Sequence, residues 1–452
     1  MTIHLRPYQT QLITEISGQY QMGIRRVLAV LSTGGGKTVI FSSIAQSAAR
    51  KGNRVLILVH RAELLDQASR SLTRMGVQHG LIQAGRSMDL TYAVQVASVQ
   101  TLARRLHQIP RSYFQLVIVD EAHHTTAGTW SKVVGHFNAA HLLGVTATPI
   151  RGDGRGLGEH YQAMVQGPSA AWLTDNGYLA RARVLAPPGF NDAGMRKLMG
   201  DFDMREAGRR VASIHGDCYS HYCQHLSGQT AIAFCCSVAD AEAVADLFKR
   251  QGIAAASIDG TMNQQTRRRL LDDLGDGRLK VLTSCALIGE GVDVPSVGGC
   301  ILLRPTASVA LHLQMIGRCL RPSGDKVAVV LDHVGNTLRL GHHLEDRDWT
   351  LDGIKKRDRE KAPSVKVCPA CYAAARSAAR ECTECGHRFA PEVRELQVVE
   401  GELVELAARA RRREQGNARG LESLRELARA RGYKAGWAER VHQARVARRH
   451  GI

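Results

Sequence analysis

The stretch Ser32-Thr33-Gly34-Gly35-Gly36-Lys37-Thr38 concentrates residue types that can hold phosphate. An apolar run at 27–31 precedes it, and residues 39–45 follow with helical spacing. Strand, glycine loop, Lys-Thr and helix together make a phosphate cradle. In such a cradle Thr33, Gly34, Gly35 and Gly36 turn backbone N–H groups inward, and the helix N-terminus favours negative charge. Lys37 reaches the β- and γ-phosphates, and the Thr38 hydroxyl holds Mg²⁺. Leu31 stands where the general pattern G-x-x-x-x-G-K-[ST] begins with Gly. A second cluster ends an apolar run, Leu116-Val117-Ile118-Val119-Asp120-Glu121-Ala122-His123. Asp120 would hold Mg²⁺ through its water shell, and Glu121 would orient or deprotonate an attacking water. A third, Gln314-x-x-Gly317-Arg318-x-x-Arg321, puts two arginines three apart. That spacing predicts one helical face, from which both guanidinium groups could stabilise charge on a triphosphate.

Alternating apolar strands and helices must position these groups. Residues 54–59 read as a buried strand, 62–68 as a helix, 92–97 as a strand and 142–146 as a strand ending at Thr146-Ala147-Thr148-Pro149. Arg6-Pro7-Tyr8-Gln9 opens a helix, with Pro7 in the first turn. A second βα series starts near residue 230 and lacks a phosphate loop of its own. The glycines of Ile288-Gly289-Glu290-Gly291-Val292-Asp293 allow a loop there to approach another domain closely. This rhythm predicts an α/β fold built on parallel sheets.

T-G-G-G-K-T, D-E-A-H and T-A-T-P, in this order, resemble motifs I, II and III of the superfamily 2 helicases of DEAD/DEAH-box type. T…G-E-G-V-D and Q-x-x-G-R-x-x-R resemble motifs V and VI. The resemblance spans about residues 3–345 and implies two RecA-like domains that share one ATP. It implies that Arg6 and Gln9 read adenine, that Gly291 and Asp293 join the nucleotide site, and that Gln314, Arg318 and Arg321 complete it. His123 would couple that site to Thr146 and Thr148. His60, Arg61, Gln67, Ser98, Gln100, Thr101, Ser237 and Thr283 fall at positions implied to hold a nucleic-acid backbone. Residues 302–306 and 331–336 look most similar to the RadD-like branch of DNA-repair helicases, bacterial or phage.

Beyond residue 345 the chain turns charged, then supplies Cys368-x-x-Cys371 and Cys382-x-x-Cys385. Two such knuckles offer the four thiolates that a structural Zn²⁺ prefers. From residue 409 to the end, thirteen Lys/Arg stand against four Glu, half of the formal +18 of the chain. A basic helical pair of this kind suits phosphate backbones, or a docking role toward a protein partner. No apolar stretch approaches the roughly 20 residues of a membrane span, and no signal-peptide core opens the chain, so the expected place is the cytoplasm, at the nucleoid.

The expected domains are 1–190 and 191–345 (RecA-like), a charged linker at 346–363, a four-cysteine zinc ribbon at 364–392 and a basic helical tail at 393–452. The expected activity is an ATP- and Mg²⁺-dependent DNA helicase or translocase in repair, recombination or replication. Its rivals are an RNA helicase, a duplex translocase that never separates strands, and a nucleotide-gated DNA-binding switch that recruits partners.

Overall fold

The computed structural model describes residues 4–124, 128–151, 154–198, 200–285, 297–353, 364–390, 414–415, 417–418 and 420–449. Residues 1–389 form one compact unit and 390–452 a second.

Within the first unit, lobe 1 opens with α1 (Pro7–Gln21), which buries Tyr8, Leu12 and Ile16 at intervals of one helical turn. There follow β1 (Arg26–Val30), α2 (Lys37–Arg50), β2 (Val55–Val59), α3 (Ala62–Arg74), β3 (His79–Ile82), β4 (Val94–Ser98) and α4 (Val99–Arg105). The lobe continues with β5 (Leu116–Asp120), α5 (Gly128–His136), β6 (His141–Thr146), β7 (Ala163–Gln166) and α6 (Ala170–Asp175). The seven strands lie in the order β3-β4-β2-β5-β6-β1-β7, and every pairing is parallel. Helices cover both faces, so β2 and β5 are buried at every residue and read as continuous apolar runs.

Lobe 2 begins with β8 (Arg181–Leu185), a hairpin of β9 (Lys197–Leu198) and β10 (Asp201–Phe202), then α7 (Met204–Val211) and α8 (His215–His225). It continues with β11 (Ala231–Phe234), α9 (Val238–Arg250), β12 (Ala255–Ile258), α10 (Gln264–Gly275) and β13 (Val281–Ser284). β14 (Gly299–Leu302), α11 (Val309–Ile316), β15 (Val327–Asp332) and α12 (Asn336–Leu340) complete it. Its parallel sheet runs β12-β13-β11-β14-β15-β8. The boundary expected at 190 therefore moves. β8 pairs with β15 over five residues, so the crossing between lobes precedes Arg181, ahead of the Pro187-Pro188-Gly189 stretch. Position in a sheet, which no local signal encodes, decides that.

β16 (Val365–Val367) and β17 (Ala374–Arg376) pair antiparallel in the cysteine-bearing segment. That segment adds to the edge of lobe 2, where Ala186 N donates to Tyr372 O at 2.8 Å. In the second unit, α13 (Leu421–Arg431) packs on α14 (Trp437–Arg449) through Leu424 and Ala438. Arg425 pairs with Glu439 at 2.9 Å and Arg431 with Glu414 at 2.7 Å. Arg445 donates to the Ala418 and Gln415 carbonyls. Much of the hairpin's charge is thus committed internally, while Arg429, Lys434 and Arg440 stay exposed. Among the described residues, no helix is long and apolar enough to cross a membrane.

Candidate active site

The groups singled out from the sequence collect at the C-terminal ends of the strands, where open parallel sheets place their ligands. β1 delivers the phosphate loop, and Gly36 caps α2 with φ 89°, a left-handed turn that glycine takes without strain. A Cβ on Gly36 would collide with Gln9 Nε2. Gln9 is buried against the loop. Its Nε2 lies 3.4 Å from Gly35 O and its Oε1 accepts Arg6 N at 3.0 Å. Tyr8, which carried no expectation, donates its hydroxyl to Gly35 O at 2.7 Å. Its ring meets Tyr178 at 5.0 Å and Trp172 at 6.0 Å, and the Arg6 guanidinium stands 4.9 Å over Tyr178. The alternation of aromatics with Arg6 was visible only as scattered residues, because α1 and α6 are about 150 residues apart in the chain.

Asp120 and Glu121 are both buried, and Asp120 Oδ1 accepts the Glu121 N–H at 3.0 Å. Glu121 has φ 52°, left-handed for a side chain that ordinarily avoids it. Such strain costs about 1–3 kcal/mol and is concentrated at working sites. Glu121 Oε2 lies 3.4 Å from His123 Nδ1, an ion-pair distance without hydrogen-bond alignment. His123 Nδ1 is 3.3 Å from Thr146 Oγ1, which donates in turn to Thr148 O at 3.0 Å. Hydrogen bonds therefore link His123 to Thr146 and Thr148, with Glu121 standing beside the same Nδ1.

Lobe 2 brings the third cluster. Gln314 is buried on α11, and its Nε2 has no hydrogen-bond partner among the described residues. The helix ends at Ile316, so Arg318 and Arg321 follow it in a turn and not on one helical face as expected. Pro322 disfavours helix at the residue before it, and Leu320 O turns away to accept Ala180 N at 2.7 Å. Burial lowers the Arg321 pKa. Gly317 sits directly on Thr33, so the arginine segment is carried to the phosphate loop. Gly291 and Asp293 lie outside the described residues.

The implied nucleic-acid contacts divide. Arg61 caps α3, and its Nε lies 3.2 Å from His60 Nε2. Ser98 caps α4 beside Thr101, with its hydroxyl donated to Gln100 Oε1 at 2.9 Å. Ser237 caps α9 by accepting Asp240 N at 3.0 Å. Thr283 is a correction: it is fully buried and donates to Ala241 O at 2.6 Å, so its side chain ties β13 to α9 and does not reach a strand of nucleic acid. Gln67 turns instead toward the phosphate loop, its Nε2 3.3 Å from Thr38 Oγ1. From the same helix, Glu63 pairs with Arg267 of lobe 2 at 2.9 Å and Asp66 accepts Gln264 Nε2 at 3.1 Å. One helix, α3, thus touches the Thr38 hydroxyl and the opposite lobe.

Residues 2–151 match the family model described as type III restriction enzyme, res subunit, and residues 205–323 match the helicase conserved C-terminal domain. The chain is 33% identical over 385 residues to a 51.5 kDa protein of a Lactococcus phage, covering 82% of each. The chain belongs to the superfamily 2 helicases. It is 31% identical to IRC3 of Saccharomyces cerevisiae, a candidate ATP-dependent helicase, over 70% of this chain and 49% of that protein. Its fold resembles a fragment of a candidate HsdR subunit of a type I restriction enzyme from Vibrio vulnificus, with TM-score 0.60 and 22% identity over 76% of this chain and 67% of the other.

ATP and Mg²⁺ are the ligands of this superfamily, and the site fits them. The left-handed Gly36 cradle is formed, and the buried Thr33 Oγ1 has no hydrogen-bond partner among the described residues. Thr38 and Asp120 would hold the metal, which would neutralise phosphate charge.

Cys368, Cys371, Cys382 and Cys385 bring their sulfurs within 4.8 Å of one another. Cys368 and Cys385 are 3.6 Å apart, Cys371 and Cys382 3.7 Å. Zn–S bonds of about 2.3 Å in a tetrahedron require sulfurs about 3.8 Å apart. The set fits zinc, with all four positions filled by protein.

Proposed function

We propose that this superfamily 2 helicase is a DNA motor, an ATPase whose turnover is stimulated by DNA and drives movement along it. The observation that carries the reading is the seating of Gly317 on Thr33, which brings the Arg318–Arg321 segment of one lobe to the phosphate loop of the other. Lys37 positions the γ-phosphate, Glu121 orients water, and the two arginines stabilise the charge that develops as the phosphoryl group departs. The His123–Thr146 contact passes that event to the loop behind β6. Helix α3, capped by Arg61, passes it to the backbone track, where phosphate contacts carry little sequence preference. DNA is favoured over RNA because the first family model is that of a restriction-enzyme subunit. A role in repair, as in the RadD-like branch, and recruitment of a partner by the basic tail belong to the same reading.

The test is ATP hydrolysis by wild type and Lys37→Ala with no nucleic acid, single-stranded, duplex or forked DNA, and RNA. Stimulation by DNA that vanishes in Lys37→Ala supports the motor. Stimulation by RNA alone moves the track to RNA, and DNA binding without stimulation favours a switch.

A further inference from the structure

Residues 346–353 were expected to begin a linker, yet they lie against lobe 1. After α12 the chain is held to lobe 2 by Arg347, whose guanidinium donates to Leu340 O at 3.1 Å and to His342 O and Glu345 O at 3.2 Å. Glu345 in turn accepts the Ser364 hydroxyl at 2.9 Å. The next residues cross to the other lobe. Trp349 and Leu351 pack against the lobe 1 core that contains Leu157 and Tyr161. Leu351 O accepts Gly158 N at 2.9 Å, and Arg155 and Gly353 form an antiparallel bridge.

The receiving loop is shaped for this crossing. A Cβ on Gly156 would collide with Leu351 O, and on Gly158 it would stand 3.2 Å from the same atom. Gly156 is not in the left-handed region, so its backbone would accept a side chain if the crossing segment were absent. The loop also follows Thr146 and Thr148 closely, and Arg151 N donates to Arg155 O at 2.8 Å. Between the crossing segment and the phosphate loop lies a cavity of about 360 Å³, with Ser32, Thr33 and Ala147 on one side and His343, Arg347 and Trp349 on the other. The segment spans this gap and grips at its two ends.

We propose that residues 341–353 form a clasp that holds the loop behind Thr146 and Thr148 in register with lobe 2. Lobe closure and the hydrogen-bonded His123–Thr146–Thr148 series beside Glu121 then move together. Leu351 and Gly353 are positioning residues: they act through the loop and touch no reacting atom. The proposal rests on the motor reading above for its effect on turnover, but the clasp itself has a readout apart from turnover.

The experiment compares wild type, Gly156→Ala and Leu351→Ala as full chains. Hydrogen exchange over residues 154–161 is followed with and without a non-hydrolysable ATP analogue, alongside ATPase rates. The clasp predicts that Gly156→Ala exchanges about tenfold faster at the Gly158 amide and loses the protection added by the analogue. Its stimulated kcat should fall about fivefold, while the unstimulated rate and KM for ATP stay within about twofold. Leu351→Ala should fall between the two, and decides the matter if Gly156→Ala does not fold. Unchanged exchange in the variants overturns the clasp, as does faster exchange with wild-type stimulated kcat. A parallel loss of every rate with a lowered melting temperature also overturns it, leaving only a structural contact. If no nucleic acid stimulates wild type, the motor reading fails and the clasp is judged on exchange alone.

Discussion

Gly317 of lobe 2 lies so close to Thr33 of the phosphate loop that a Cβ at 317 would stand 2.6 Å from Thr33 Cβ. The φ of Gly317 is −55°, so glycine is required there by proximity and not by backbone conformation. Gly317→Ala would force the lobes apart. Overpacking costs about 1–3 kcal/mol, and every 1.4 kcal/mol is about tenfold. We expect stimulated turnover to fall about five- to a hundredfold with nucleotide affinity of lobe 1 kept, as read by steady-state ATPase and fluorescent-ADP titration.

The Glu63–Arg267 pair joins α3 to α10 across the lobes, with side chains about one-fifth exposed. Exposure discounts its worth toward that of a surface pair, roughly 1 kcal/mol. Glu63→Arg should weaken stimulation, and adding Arg267→Glu should restore much of it. A double-mutant cycle on stimulated kcat measures the coupling. Additive losses would place the two residues in unconnected roles.

The four cysteines should bind one zinc per chain, measured by metal analysis of purified protein. Cys368→Ser with Cys382→Ser should abolish it. Because the ribbon adds to β8, with Arg183 2.5 Å from Glu384, metal loss should also lower the melting temperature of lobe 2 and not only unfold the ribbon.

Burial pushes the His312 and His333 pKa values down to about 3, and that of His342 to about 4. Their unfolded value is about 6.5. The unfolded chain therefore takes up protons first as pH falls, and stability drops from about pH 6.5 toward the folded values, by up to about 1.4 kcal/mol per pH unit for each histidine. Urea midpoints should fall between pH 7 and pH 5, and His312→Leu should flatten that slope. An unchanged slope would mean His312 is already protonated or solvated in the folded chain.

What the amino-acid sequence determined by itself is the chemistry that is local in the chain. Gly34–Lys37–Thr38, Asp120-Glu121 and the paired Cys-x-x-Cys knuckles each need a few neighbouring residues in a fixed spacing, and apolar runs such as Val55–Val59 report burial on both faces. Tertiary structure alone decided what depends on two distant segments meeting. Tyr8 meets the phosphate loop 27 residues on. Thr283 is buried under α9, and Gln67 faces Thr38. β8 joins the second sheet, and residues 346–353 return to lobe 1. In each case a side chain's task is set by the surface that packing brings to it, and that surface is written elsewhere in the chain.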